Sequence, residues 1–326
     1  MTEITLVEAV TQALAYEMAH NEDVVVMGED IGANGGVFRA TLGLLDRFGP
    51  ERVRDTPLAE SMIAGLAIGM AIAGMRPVAE FQFEGFIFPA IDQICSHAGR
   101  MRNRTRGRLS CPAVFRTPWG GGIHAPEHHA ESPEALFAHT PGLRVVIPSS
   151  PARAYGLLLA AIRDPDPVVF FEPKRIYRLV KQNVPDDGKA LPLDKCFVLK
   201  AGSDITLVTW GAIVHETLQV AAELATQGIS AEVIDVATIK PLDFTTILDS
   251  VEKTGRCVII HEAPLTCGVG AEIAALLAEH ALSSLYAPVK RVTGYDTVVP
   301  YLRLEDTYLP SKARIIDAIN ETMEYA

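Results

Sequence analysis

Apolar residues along the 326-residue chain follow two periods, one typical of helices and one typical of buried strands. Helical spacing begins at once, because apolar residues recur every three or four positions from Leu6 to Met18, behind Thr5 and Glu8, which have capping-box spacing. Short apolar runs that predict buried strands lie at 24–27, 78–83, 112–116, 143–147, 168–171, 205–209, 231–236, 257–261 and 289–293. Since strands that alternate with helices imply right-handed crossovers, the pattern predicts an α/β fold with mainly parallel sheets.

Several of the intervening helices have recognisable starts. Ser150 followed by Pro151 is a cap with a first-turn proline, and it predicts a helix that continues to about Arg163. An aromatic-rich helix is predicted over 86–99. Further helices are predicted to begin near Val214, Asp243, Gly270 and Ser311.

A polar stretch at 181–195, rich in Pro, Asp and Gly, divides the pattern into two parts. The chain length also suggests about two domains. We therefore predict two doubly wound α/β domains, at 1–190 and 191–326.

One stretch, at 55–74, places a single carboxylate, Glu60, at the start of a run without charges. From Met62 to Met75 the residues are uncharged and small ones recur, but the run is shorter than the roughly 20 residues that span a bilayer. It predicts a buried helix whose small side chains let other backbones come close. Glu60 is then either an acid favoured by the helix dipole or a carboxylate that hydrogen-bonds a cofactor in a dry pocket.

A second stretch, at 116–142, combines three successive glycines with four of the nine histidines. Long irregular loops in compact domains usually carry function. A zinc site from His124, His128 and His129 is one interpretation, although the helical HExxH spacing is absent. Exposed loop histidines are another, and a proton donor or acceptor in a pocket is the third.

Charge and cysteine content exclude some classes of protein. The net charge of −11 argues against a nucleic-acid or anionic-membrane partner. The protein is predicted to be located in the reducing cytoplasm, because its five cysteines include no CxxC pair and its N-terminus has no secretory signal. The arginines at every second position from 100 to 108 are interpreted as helix-end and loop ion pairs rather than a phosphate site.

The chain resembles, nearly end to end, the beta subunits of the thiamine-diphosphate-dependent decarboxylating component of 2-oxo acid dehydrogenase complexes. The resemblance rests on GEDIGANGGVFRAT (28–41), DTPLAES (55–61), FIFPAIDQI (86–94), HHAESPEALFAH (128–139), PGLRVVIPSSP (141–151), RDPDPVVFFEPKRIYR (163–178) and VIDVATIKPLD (233–243). It implies a transketolase-like pyrimidine-binding domain followed by a transketolase C-terminal-like domain.

The resemblance also implies how the active site is shared. In the family, an α2β2 heterotetramer binds thiamine diphosphate between unlike chains, and the alpha chain holds the diphosphate through magnesium with a GDG motif. This sequence has no GDG. By the matching motifs, Glu60 would hydrogen-bond the aminopyrimidine ring, Phe86 would pack on that ring, and His129 would be the active-site histidine that meets the lipoyl group.

Some relatives also bind potassium in the beta chain, largely through backbone carbonyls. The matching positions here are Ala113, Ala161, Ile162, Asp164 and Asp166. Relatives often have Asn at the last position, so Asp166 adds a charge to the implied site.

The implied activity is the oxidative decarboxylation of a 2-oxo acid, followed by acyl transfer to lipoyl groups on the transferase component. We expect the pyruvate type, with branched-chain 2-oxo acid and acetoin dehydrogenases as alternatives. The implied partners are the alpha subunit and the lipoyl and subunit-binding domains of the acyltransferase. An alternative of another class is a non-catalytic scaffold that docks the transferase core, which would not need to keep Glu60 and His129.

Overall fold

A computed structural model describes residues 3–125 and 128–325 of the chain. The strands are β1 (Glu3–Thr5), β2 (Val24–Gly28), β3 (Val53–Asp55), β4 (Arg76–Glu80), β5 (Val114–Trp119), β6 (Arg144–Val146), β7 (Val168–Pro173), β8 (Lys181–Asn183), β9 (Phe197–Lys200), β10 (Ile205–Thr209), β11 (Ala231–Asp235), β12 (Thr238–Lys240), β13 (Cys257–Pro264) and β14 (Lys290–Gly294). The α-helices are α1 (Leu6–His20), α2 (Leu44–Phe48), α3 (Glu60–Ile72), α4 (Met101–Arg104), α5 (Glu134–Ala138), α6 (Pro151–Arg163), α7 (Val214–Thr226), α8 (Phe244–Thr254), α9 (Val269–His280), α10 (Glu305–Tyr308) and α11 (Lys312–Met323).

The chain divides into two compact units. The first unit runs to Trp119 and resumes over Leu136–Leu193, and the second unit comprises Gly120–Ala135 and the chain from Asp194 onward. The predicted boundary between residues 190 and 191 stays a prediction. No helix in the described part of the chain is long and apolar enough to cross a membrane.

The first unit is built on six parallel strands in the order β6-β7-β5-β4-β2-β3. β2 and β7 are buried along their whole length, as expected of parallel strands covered by helices on both faces. The helix predicted behind Thr5 is confirmed as α1, with its capping box formed. α6 also begins as predicted, with the Ser150 side chain accepting a hydrogen bond from the Arg153 amide.

The predicted helix at 86–99 is present but is not an α-helix. A 3₁₀ segment covers Glu84–Ala90 and includes Pro89, and a π-helical segment covers Asp92–Ala98. Proline lacks the amide that an α-helix interior needs, and π turns are common at functional sites.

The prediction that the uncharged stretch forms a buried helix is only half right. α3 buries a stripe that includes Ile63 and Ala67, but Met62, Leu66 and Ile72 remain 38–44% exposed on this chain. The apolar residues cover the whole circumference of the helix, but this chain covers only one side of it.

The second unit has five strands in the order β14-β13-β10-β11-β9. The first four are mutually parallel, and β9, which the sequence pattern does not predict, joins the edge antiparallel to β11. Its core includes side chains on β10, β11, β13, β14, α7 and α11 that are at most 4% exposed. The predicted strand at 205–209 is confirmed with the same bounds.

Candidate active site

Three neighbouring strand ends of the first unit bring the predicted cofactor residues together. Gly28 at the end of β2 pairs with Asp55 on one side and with Glu80 on the other, so the carboxyl ends of β3, β2 and β4 lie level. Glu29 follows β2, and Glu60 begins the helix after β3. Phe86 lies in the 3₁₀ segment after β4. Open α/β sheets bind ligands at this edge.

Glu60 is half-buried at the first position of α3, and no side chain caps the helix before it. The next residue ties α3 to the aromatic segment, because the Ser61 hydroxyl donates to the Pro89 carbonyl over 2.6 Å. Burial raises the pKa of Glu29, and the negative charges of Asp30 and Glu60 raise it further. Glu29 therefore holds its proton to higher pH than a solvated glutamate does.

Phe86 belongs to a row of aromatic rings. Its ring meets Phe83 edge-on at 6.2 Å between centroids, and Phe83 meets Phe38 at 5.3 Å. The segment is anchored from beneath by a fully buried ion pair, in which Lys174 donates to Glu84 over 2.7 Å. Phe86 is half-buried, so part of its ring is available to a ligand.

A buried charge network supports these strand ends from below. The Arg116 guanidinium donates to both oxygens of Glu172, over 2.7 and 2.8 Å, and also to Glu80. The Tyr177 hydroxyl donates to Glu172 over 2.6 Å. Burial raises the pKa of Glu80, against the opposing effect of Arg116. Sequence reasoning missed this network, although charges inside apolar strands at 80, 116 and 172 were its visible signal.

The glycine-rich loop after Glu29 is fixed by side chains from the same edge. Asp55 accepts a hydrogen bond from the Gly32 amide over 2.6 Å, and Thr41 donates to the Ile31 carbonyl over 2.7 Å. Gly36 has a φ of +79°, and a Cβ there would lie 3.1 Å from the Glu80 carboxylate. The loop backbone therefore packs directly on the charge network.

His129 lies in the second unit, on the loop Gly120–Ala135. Buried carboxylates hold the start of this loop: Glu262 accepts from the Gly121 amide over 3.3 Å, and Glu305 accepts from the Gly122 amide over 2.6 Å. His129 is half-buried and its ring meets the exposed ring of His128 edge-on at 4.6 Å. Pro126 and Glu127, in the same loop, lie outside the described residues.

The zinc interpretation gains no support from the side chains. Across residues 3–125 and 128–325, no three His, Cys, Asp or Glu side chains are grouped so that they could hold a metal ion. His124 instead lies beside an acidic residue, with 3.7 Å between its Nε2 and the Oδ1 of Asp306.

The residues of the implied potassium site lie at the opposite, amino-terminal edge of the first unit's sheet. The carbonyls of Ile162 and Asp164 accept from the Arg76 guanidinium, over 2.7 and 3.2 Å. The two carboxylates pair with arginines, Asp164 with Arg144 and Asp166 with Arg102. The site fits potassium in part, because an ion would share these oxygens, each of which has a second lone pair.

Comparisons with known proteins agree over the whole chain. The family described as transketolase, pyrimidine binding domain, matches residues 2–180, and transketolase, C-terminal domain, matches residues 194–315. Pyruvate dehydrogenase E1 component subunit beta from Bacillus subtilis is 47% identical over 325 residues, and that from Staphylococcus epidermidis is 48% identical, each with 100% of both chains covered. A solved split-gene transketolase, an inactive β4 tetramer, superposes with a TM-score of 0.75 at 25% identity and 99% coverage of both chains.

One assignment follows from the level strand ends, the order of the two matching domains along the chain, and the full-length matches. The chain belongs to the family of pyruvate dehydrogenase E1 beta subunits, which pair a transketolase pyrimidine-binding domain with a transketolase C-terminal domain.

Proposed function

We propose that this chain is the beta subunit of a pyruvate-decarboxylating enzyme that uses thiamine diphosphate and passes the acetyl group to lipoyl groups. The observation that carries the proposal is the placement of Glu60 and Phe86 just beyond the level ends of β3 and β4, the two strands that flank β2. The names of the 47–48% identical relatives favour pyruvate over the branched-chain and acetoin alternatives.

Glu60 fits the pyrimidine half of the cofactor by its chemistry. A carboxyl group at the mouth of a strand-end site can share a proton with a ring nitrogen, and a partly desolvated setting strengthens that hydrogen bond. The bound cofactor would supply the electron sink that a 2-oxo acid lacks. Glu29, whose pKa is raised, adds a second carboxyl group from the adjacent strand end.

Phe86 would orient the pyrimidine ring by packing on it. The row of Phe86, Phe83 and Phe38 and the buried Lys174–Glu84 pair hold this side chain in place from two directions. Such support matters because a site must hold its groups to a fraction of an ångström.

His129 would act later, when the lipoyl group arrives. An imidazole can donate or accept a proton near neutral pH, which suits transfer to a dithiolane. The two buried carboxylates at the base of its loop, Glu262 and Glu305, support the position of the loop.

The proposal includes an alpha subunit in an α2β2 heterotetramer and the lipoyl and subunit-binding domains of an acyltransferase. The chain lacks the GDG motif expected of a magnesium-diphosphate anchor. Magnesium would therefore be held by the alpha subunit. We propose a cytoplasmic location, as the cysteine content predicts, since all five cysteines are free.

The test is Glu60→Gln in the reconstituted heterotetramer. Gln keeps the size of the side chain but loses the charge and the shared proton, so we expect turnover at saturating cofactor to fall roughly 10²–10⁴-fold. That range is about 3–5 kcal/mol of barrier. The dissociation constant of the cofactor should change far less, because the diphosphate is bound elsewhere.

Glu51→Gln is the matched control, since Glu51 is an exposed carboxylate that pairs only with Arg54 among the described residues. It should leave turnover unchanged. Near-normal turnover of Glu60→Gln would leave Glu60 as a helix-start acid without a role in catalysis.

A further inference from the structure

Arginine side chains line a cleft of about 580 Å³ in the first unit that the proposed activity does not use. We call it the arginine cleft; it is formed by the side chains of Arg100, Arg102, Asn103 and Arg106 and by the backbone at Gly99 and Gly142. It surrounds the short helix α4, directly after the π-helical segment.

The arginine cleft lies at the opposite edge of the sheet from the proposed cofactor residues. Gly142 comes shortly before β6, and Asp166, which pairs with Arg102, comes shortly before β7. Glu60 and Phe86 follow the carboxyl ends of strands that run in the same direction. The cleft is therefore separate from the cofactor site, within the same unit.

The charges in the cleft are not balanced. Arg102 forms an ion pair with Asp166 over 2.8 Å. Within residues 3–125 and 128–325, no carboxylate pairs with Arg100 or Arg106, and both side chains are exposed. Of the five arginines interpreted as ion pairs, only Arg102 pairs with a carboxylate in that part of the chain. Three guanidinium groups against one carboxylate leave a positive cleft on a chain whose net charge is −11.

Glycine backbone forms part of the lining of the cleft, at Gly99 and Gly142. Gly142 has a φ of +86°, and a Cβ there would overlap the carbonyl oxygen of Gly99. A Cβ on Gly99 would lie 3.1 Å from the Pro141 carbonyl oxygen. The two glycines therefore let the backbones at 99 and 142 pack directly against each other, and this part of the cleft wall is held in place by that contact.

The turn that carries Arg106 is fixed by the backbone. Arg106 and Gly107 both have positive φ, at 55° and 77°. The Arg106 amide donates to the Asn103 carbonyl over 3.0 Å, and the Gly107 amide donates to the Arg102 carbonyl over 2.8 Å. The base of the Arg106 side chain is thus held in position before any ligand binds.

We propose that the arginine cleft binds a phosphate-bearing small molecule of about nucleotide size. Its volume lies in the range of about 300–1,000 Å³ that small-molecule sites occupy. Guanidinium groups match phosphate oxygens in geometry and charge, and a di- or trianion would neutralise the excess positive charge. A local pocket around one short helix suits a compact ligand better than an extended acidic peptide.

The test is calorimetric titration of the full chain with ADP. We expect one saturable site whose affinity falls at least about tenfold in the double variant Arg100→Gln/Arg106→Gln, because the variant loses two guanidinium groups that would make charge-assisted contacts to the phosphate. Arg54→Gln, which removes an exposed arginine paired with Glu51, is the matched control and should bind ADP normally. Circular dichroism and thermal unfolding should be unchanged in both variants.

Three results would overturn the proposal: no saturable ADP binding at millimolar concentration, equal affinity in the double variant, or displacement of ADP by a poly-glutamate peptide. The site is also distinguishable from the proposed function. Glu60→Gln should bind ADP as the unaltered chain does, and a loss there would place ADP at the cofactor edge instead.

Discussion

His261, in the second unit, illustrates at the residue scale how burial changes side-chain chemistry. Its ring is fully buried and stacks on Trp210 at 4.9 Å between centroids with 12° between the planes. A Cβ on Gly270 would lie 2.7 Å from its Nε2, so glycine at the start of α9 makes room for the ring. Burial lowers the pKa of His261 from 6.5 to about 3, and the positive charge of Arg291 contributes to the shift.

This shift predicts a pH dependence of stability. Between pH 6.5 and about 3 the unfolded chain binds a proton at His261 that the folded chain does not. The free energy of unfolding should therefore fall as the pH drops below 6.5, by about 1.4 kcal/mol per pH unit from this group. His261→Gln lacks this contribution. The stability gap, which is the difference in free energy of unfolding between the unaltered chain and His261→Gln, should therefore shrink by about 2 kcal/mol between pH 7.5 and pH 5. Urea unfolding at the two pH values measures it. A constant gap would contradict the assignment.

His129 gives a second prediction at this scale. Because the proposed role is in acyl transfer, His129→Ala should slow transfer to lipoyl domains more than decarboxylation measured with an artificial electron acceptor. The neighbouring His128, which is exposed, provides the control variant His128→Ala. Equal losses in the two assays would argue against a transfer role, and a loss only in His128→Ala would assign the role to that residue.

At the scale of elements, the sequence predicts those whose signals are local. The capping box before α1 and the Ser150–Pro151 start of α6 are confirmed because caps depend on neighbouring residues alone. The π-helical segment and the antiparallel edge strand β9 are not visible in the sequence, since both depend on distant packing. Of the site, motifs identify Glu60, but the raised pKa of Glu29 depends on burial and on the folded strand order.

The implied potassium site also belongs to this scale, because it joins the end of α6 to the starts of β5 and β7. An ion that binds only the folded chain raises its stability, so we expect thermal unfolding of the chain in KCl to occur about 2–4 °C higher than in NaCl. Arg76→Ala frees the carbonyls of Ile162 and Asp164 and should widen that difference. Equal midpoints in the two salts, for both proteins, would show that no potassium ion binds at these oxygens.

At the scale of the whole molecule, α3 indicates a surface that this chain does not cover by itself. Met62, Leu66 and Ile72 are apolar side chains on this one helix and are 38–44% exposed. A Cβ on Gly69 would meet no atom of the described chain within 4 Å, so nothing in the chain itself requires glycine there. Exposed apolar area beside small residues is typical of a surface that another subunit covers.

The last prediction concerns assembly. The chain has Glu60 and Phe86 but no diphosphate anchor motif, so alone it should bind thiamine diphosphate weakly and decarboxylate nothing. A similar fold forms an inactive β4 tetramer in a split-gene transketolase. Calorimetry should detect magnesium-dependent cofactor binding only after an alpha subunit is added.

Gly69→Leu should fold, because the position is open on this chain and glycine is a poor helix former, yet it should fail to assemble.

The control for Gly69→Leu must add bulk at a position with helical backbone. Gly228 does not qualify, because its φ is +85° and any side chain there would be strained. Ala222→Leu, on an exposed face of α7 in the second unit, adds comparable bulk at a helical position and should assemble normally. Sedimentation of each variant with the alpha subunit gives the comparison. Tight, magnesium-dependent binding of thiamine diphosphate by the chain alone would show that it holds a complete cofactor site, and normal assembly of Gly69→Leu would remove α3 from the subunit interface.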